Sequence, residues 1–365
     1  MDQKYYIQST DQIPSPSLIV YLELVKDNIK QAVEMVQGRT EKLRPHVKTH
    51  KTARIVELEL AAGIYKHKCA TLVEAQMLAE VGVTDVLIAY QMVGPNIQRF
   101  VDLMNQFPEV DFQLVVDHPI AIQALSKAIQ GVNKSVKVML DFNVGMNRTG
   151  VTLADGAVDL YRQIQQADGL IPWGLHVYDG HIHHSSLTER RSACQYSLDQ
   201  VEIFKQQIGE KHLPNLVMGG TPTFPIYAEI SDVETSPGTF VFSDYNYSKK
   251  YPDLGFVPAA LLLSRIISLP IEGHATLDLG HKAISADSKD PRGKILNLDG
   301  SKLSAQHEEH WSVKIRPSDN VLLGQSVFVC PAHICPTVAL HQFYYIVDER
   351  GMCIDRWEVS ARHRN

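Results

Sequence analysis

YKHKCATLVEAQMLAEVGVTDVLIAY, residues 65–90, carries the theme that organises most of the chain. YKHKCAT (Tyr65–Thr71) alternates as a strand does. Leu72 to Val81 follows a helical apolar pattern, and Gly82 stands where a helix C-cap is expected. DVLIAY (Asp85–Tyr90) then returns to a strand. Working outward, the same strand signal recurs at SLIVY (Ser17–Tyr21), LRPHVK (Leu43–Lys48), DFQLVVD (Asp111–Asp117), SVKVMLDFN (Ser135–Asn143), WGLHVYDGH (Trp173–His181) and NLVMGG (Asn215–Gly220). Helical patterns fill the gaps, at 23–37, 53–62, 97–107, 120–129, 154–167 and 188–208. Strand–helix alternation at this spacing predicts parallel strands with helices outside. Eight such units predict an α/β fold, a closed (β/α)8 barrel of TIM type. A doubly wound sheet is the alternative, but no GxGxxG follows the first strand.

After about Ser236 the helix-length gaps disappear. LLLSRIISLP, HATLDLG, GKILNLDG, WSVKIRP and QSVFVCPAH are alternating runs punctuated by Gly, Pro and Asp, which predicts antiparallel strands. TVALHQFYYIVD (Thr337–Asp348) reads as a long strand. The predicted organisation is a barrel over 17–250 and a mostly-β domain over 251–365, with residues 1–16 added to the latter.

The 365 residues are 44% hydrophobic and 21% charged, enough apolar material for a core, which excludes general disorder. Lys plus Arg number 35 against 41 Asp plus Glu, a formal net charge of -6, so a nucleic-acid binder acting through bulk positive charge is excluded. The cysteines (Cys69, Cys194, Cys330, Cys335 and Cys353) form no CxxC pair, which predicts a reducing compartment. The N-terminus lacks an apolar h-region. The longest apolar stretch, about Gly255 to Ile271, is broken by Pro258, Arg265 and Pro270. A cytoplasmic protein without membrane association is expected.

Chemistry is expected where barrel strands end. In RPHVKTHK (Arg44–Lys51), alternation puts His46 and Lys48 on one face. A lysine at a barrel mouth, crowded by Arg44, His50 and Lys51, suits imine chemistry, which needs a neutral amine; the same stretch also reads as a solvated basic loop or phosphate patch. LDFNVGMNRTG (Leu140–Gly150) ends a strand in Asp141 and places Arg148 to hold a phenolate or carboxylate. VMGGTPT (Val217–Thr223) offers Gly219, Gly220 and Thr221 as an anion-binding turn after the last strand. In CPAHICPT (Cys330–Thr337), His333 and Cys335 are two apart; on a strand they point the same way and suit one Zn2+ with open positions, or else a core histidine beside a buried thiol. HVYDGHIHH (His176–His184) and QHEEH (Gln306–His310) add histidines for acid–base work or simply for the surface, and Tyr178 alternates inward with His176.

RPHVKTHK, LDFNVGMNRTG, DLGHKAISAD and PAHICPT together resemble the metal-dependent D-threonine aldolase and eukaryotic-type D-serine dehydratase family, fold-type III pyridoxal phosphate (PLP) enzymes with an alanine racemase-like barrel. The resemblance implies that Lys48 carries the cofactor as an imine. It further implies that Arg148 lies near the cofactor's 3-oxygen, that Gly219, Gly220 and Thr221 hold its phosphate, and that Tyr178 lies near its pyridine nitrogen. His333 and Cys335 would bind a divalent ion, Zn2+ before Mn2+. The metal pair is His–Cys in the dehydratases and His–Asp in the aldolases of this family, so the expected activity is dehydration of D-serine, D-threonine or 3-hydroxyaspartate to a 2-oxo acid and ammonia. The alternative is aldol cleavage of D-threonine to glycine and acetaldehyde, and a racemase comes third. The family pattern implies a homodimer with a small 3-hydroxy-D-amino acid as its partner molecule.

Overall fold

The computed structural model describes residues 3–210, 213–288, 292–316 and 319–364. The chain forms two compact units, one of residues 1–31, 49–54 and 239–362, the other of residues 32–48, 55–238 and 363–365. Strand β1 (Ser17–Tyr21) belongs to the first.

The second unit is built on a curled, wholly parallel seven-stranded sheet of TIM type. Its strands run in chain order: β2 (Lys66–Cys69), β3 (Asp85–Ile88), β4 (Asp111–Val116), β5 (Val136–Asp141), β6 (Leu170–Val177), β7 (Leu216–Met218) and β8 (Glu234–Thr235). Residues 43–47 meet both edges of this sheet. Arg44 N–H donates to Thr235 O and His46 N–H to Pro237 O, while Val47 N–H donates to Lys68 O and Lys68 N–H to Pro45 O. LRPHVK thus takes an eighth strand's place through isolated bridges, Leu43 with Thr235 and His46 with Lys68.

Local chemistry starts the intervening helices where the pattern predicts. Thr71 caps Leu72–Glu80 by accepting from Glu74 N–H, and Ser186 caps Leu187–Ile208 by accepting from Glu189 N–H. Pro95 and Pro119 each open a helix at the first-turn position where a missing N–H costs nothing. Register places Lys66, Lys68, Asp85, Leu87, Gln113, Lys137, Met139, Asp141 and His176 on one face of the sheet. That face is charged where the strands begin. Arg44 Nε donates to Glu234 Oε2 and Arg44 Nη1 to Asp85 Oδ1, both at 2.6 Å, with Lys66 also on Glu234. Its middle is apolar, with Leu87, Val115, Met139 and Val217 in one buried cluster, and it is polar again where the strands end.

The first unit carries a mixed sheet of β1 with β9 (Ala260–Ser268), β10 (His274–Leu277), β11 (Gly293–Ile295), β12 (Lys302–Gln306), β13 (Trp311–Lys314), β14 (Ser326–Pro331), β15 (Phe343–Val347) and β16 (Cys353–Glu358). Ile19, Tyr21, Leu261, Leu263, Phe328 and Val347 fill its core. Two expectations change here. SLIVY, expected as the first barrel strand, pairs antiparallel with β9 and parallel with β15 instead. Its local pattern is that of any strand before a helix, and only its distant partners place it. TVALHQFYYIVD is not one strand: Ile334–Leu340 is helical and the strand begins at Phe343. Pro336 falls in that helix's first turn, where its lack of an N–H is tolerated.

No helix among the described residues is long and apolar enough to cross a membrane.

Candidate active site

At the strand ends of the parallel sheet, three cationic side chains gather on one ring. Lys48 Nζ lies 5.6 Å from the Tyr178 ring centroid, Lys68 Nζ 5.9 Å and Arg148 Cζ 4.9 Å. The Tyr178 ring is itself held between two glycines. A Cβ on Gly180 would stand 2.4 Å from its Cε1, and one on Gly220 would stand 3.3 Å from its Cε2. Arg148 sits in a loop folded back on β5. Gly150 N–H donates to Asp117 Oδ2, and Asn143 Oδ1 accepts from Gly145 N–H and Asn147 N–H.

Beside them runs a buried chain of polar groups. His176 Nδ1 lies 2.8 Å from Asp141 Oδ1, and its Nε2 lies 3.4 Å from Lys68 Nζ. Burial favours a protonated Asp141, but the hydrogen bond from His176, with that from Thr149 and the Lys68 charge, outweighs it and holds the carboxyl below its usual range. Burial and the Lys68 cation push His176 down against the pull of Asp141, so the ring is neutral. A carboxylate can only accept, so Nδ1–H donates to Asp141 and Nε2 accepts from Lys68. Burial, and then the nearby Lys48 cation, bring Lys68 down to about 7.

Lys68 is the residue that sequence reasoning passed over. In YKHKCAT the sequence shows the strand alternation; Thr71 caps a helix and the interior face takes Lys66 and Lys68. A second lysine two residues after Lys66, in a strand that must face a core, was the available signal.

The turn after β7 is a glycine necessity. Gly219 has φ +77, and a Cβ there would lie 2.7 Å from Tyr227 Cδ2. Its N–H donates to Val177 O, Gly220 N–H donates to Thr223 Oγ1, and Thr221 Oγ1 accepts from Gly238 N–H. An anion at this turn would therefore compete with Thr223 for the Gly220 amide. Behind it, Thr223 Oγ1 donates to the buried Asp179 Oδ1 at 3.1 Å. An amine, an arginine and an aromatic ring wedged on glycine backbone make a donor set that fits PLP.

In the mixed-sheet unit, His333 and Cys335 do not lie on a strand: His333 is the N-cap of helix Ile334–Leu340, and Cys335 falls in its first turn. The two side chains nevertheless hydrogen-bond to each other. His333 Nδ1 is 2.6 Å from Asp287 Oδ2, and Cys335 Sγ is 3.2 Å from Thr49 Oγ1 and 3.6 Å from Thr239 Oγ1. Burial favours neutral His333, but Cys335 and Asp287 outweigh it and raise the imidazole to about 9. No group of three or more His, Cys, Asp or Glu suited to a metal occurs among the described residues. One imidazole and one sulfur in contact, with a carboxylate steadying the imidazole, fit the protein's share of an ion that keeps open positions.

The chain matches the family described as alanine racemase, N-terminal domain, over residues 20–246, and the putative serine dehydratase domain over 259–347. It is similar to D-threonine aldolase from Arthrobacter sp, 26% identical over 359 residues that cover 96% of this chain and 93% of that protein. It is similar also to D-threo-3-hydroxyaspartate dehydratase from Delftia sp. (strain HT23), 22% identical over 388 residues, 95% of this chain and 97% of that one. Among solved structures, D-threonine aldolase from Filomicrobium marinum superposes with a TM-score of 0.87 at 27% identity, covering 96% of this chain and 95% of that one.

Proposed function

The chain belongs to the alanine racemase N-terminal domain family of fold-type III PLP enzymes, and on that premise we propose that it is a lyase of the D-threonine aldolase type, cleaving a 3-hydroxy-D-amino acid between Cα and Cβ. The observation that carries this outcome is the near full-length likeness to D-threonine aldolases in both sequence and fold.

Bound PLP supplies an aldehyde that exchanges between amines and a ring that withdraws electrons from Cα. Lys48 would hold it, with Arg148 and Tyr178 orienting it and the Gly219–Thr221 turn taking its phosphate. Asp141 fixes the tautomer of His176, so one imidazole N–H is committed and the other nitrogen stays an acceptor. A divalent ion, Zn2+ or Mn2+, would supply a Lewis acid for the 3-hydroxyl. Asp287 occupies Nδ1 of His333, which leaves Nε2, together with Cys335 Sγ, to hold that ion.

A second reading has an observation of its own. The His333–Cys335 pair is the one that favours dehydration in the sequence analysis, and a dehydratase is among the relatives. The two outcomes differ in which proton leaves first. For aldol cleavage it leaves the 3-hydroxyl; for dehydration the Lys48 amine takes it from Cα. A homodimer belongs to the same proposal, tested by light scattering. The deciding experiment is product analysis with D-threonine and D-serine after reconstitution with PLP and Mn2+ or Zn2+. Glycine with acetaldehyde supports the proposal. Ammonia with a 2-oxo acid replaces it with the dehydratase, and racemised substrate without cleavage overturns both.

A further inference from the structure

Lys68 has no part in the reaction as described, yet it is placed where a chemically idle lysine would be costly. It is 2% exposed, on the interior face of the parallel sheet, and shares the Tyr178 ring with Lys48 and Arg148. Its amine meets His176 Nε2 at 3.4 Å, and His176 meets Asp141 at 2.8 Å, so a continuous hydrogen-bonded path runs from amine to carboxylate. The charged groups facing Lys68 oppose one another. Lys48 and Arg44 disfavour its cation, while Asp141 and Asp179 favour it, and Arg148 bears on His176. Burial adds to the first side and brings the amine down to about 7.

We propose that Lys68, His176 and Asp141 form one proton-sharing relay, in which Lys68 is a positioning residue whose gain or loss of a proton switches the Tyr178 pocket between three cations and two. The pocket's pull on an anionic ligand then weakens as pH rises through neutrality. This reach to the cofactor rests on the PLP reading, but the relay itself does not. His176 accepts from Lys68 in both states of the amine, so the path survives the switch. Only the net charge beside the ring changes.

The test is NMR of protein carrying 13C at lysine Cε, in the cofactor-free and PLP-loaded forms, from pH 5 to 11. One lysine resonance is expected to titrate near pH 7 and to be missing from Lys68→Met and from Lys68→Arg, the second variant keeping a buried cation should the first fail to fold. Asp141→Asn removes an anion that favours the Lys68 cation, so the midpoint should fall by about one unit. In the loaded protein, the absorbance of bound PLP should shift between pH 6 and 8, and in Lys68→Arg it should not. A neutral-range resonance that persists in Lys68→Met, or a midpoint unmoved by Asp141→Asn, overturns the relay. A titrating Lys68 in a protein that takes up no PLP supports the relay and sinks the cofactor reading instead.

Discussion

Replacing Asp179 by Asn should stabilise the protein, and by more at pH 8 than at pH 5. Asp179 is 1% exposed, and its Oδ1 accepts from Thr223 Oγ1. Burial pushes its carboxyl from 3.8 up to about 6, against the pull of the Tyr227 and Thr223 hydroxyls. A difference of about 2 units, at roughly 1.4 kcal/mol each, puts about 3 kcal/mol of penalty on the ionised side chain in the folded state. Because the folded pKa lies above the unfolded one, the folded state binds the proton more tightly between the two values. The penalty is absent below about pH 4, grows as pH rises, and is complete above about pH 6 to 7. Asn keeps an acceptor for Thr223 and carries no charge to bury. Urea denaturation of the cofactor-free protein at pH 5, 6.5 and 8 should give Asp179→Asn a gain over wild type that approaches about 3 kcal/mol at pH 8 and shrinks towards acid pH. The same variant removes an anion beneath the Gly219–Thr223 turn and should bind inorganic phosphate more tightly at pH 8. A gain that is the same at all three pH values, or a loss of stability at pH 8, would refute the reasoning.

Purified protein should be yellow, and Lys48→Ala should lose that absorbance while its circular dichroism stays unchanged; a coloured variant would remove Lys48 from its proposed role. His333→Ala and Cys335→Ala, like chelation of wild type, should abolish turnover while the cofactor band persists, with bound metal followed by elemental analysis; full activity in either variant would dismiss the pair. Gly219→Ala should cost roughly 1–2 kcal/mol for its left-handed backbone alone, and should weaken PLP retention in equilibrium dialysis. Arg44→Met takes the shared guanidinium from the buried Glu234 and the partly exposed Asp85, and should lower stability in urea by about 3 kcal/mol.

Strand–helix alternation from Tyr65 to Gly220 was legible because it is written in near neighbours. Period-2 and helical patterns, a capping Thr71 and helix-opening prolines act within a few residues. Lys48, Arg148 and Tyr178 could be singled out the same way: each ends or follows a strand of a parallel fold, and parallel strands end together. What the chain's own pattern could not decide is which distant segment a strand pairs with. SLIVY looks like a barrel strand and joins β9 and β15 because main-chain hydrogen bonds across roughly 240 and 330 residues select its sheet. HICPTVAL, short and apolar, satisfies a strand and a helix equally. Packing chose the helix, and the His333–Cys335 contact survives because an N-cap and its second neighbour also converge. The role of Lys68 was hidden for a related reason. Its place follows from the pleat alone, but its chemistry comes from His176, 108 residues away, and from Asp141 and Lys48 on other segments, which only closure of the sheet brings within reach of one buried amine.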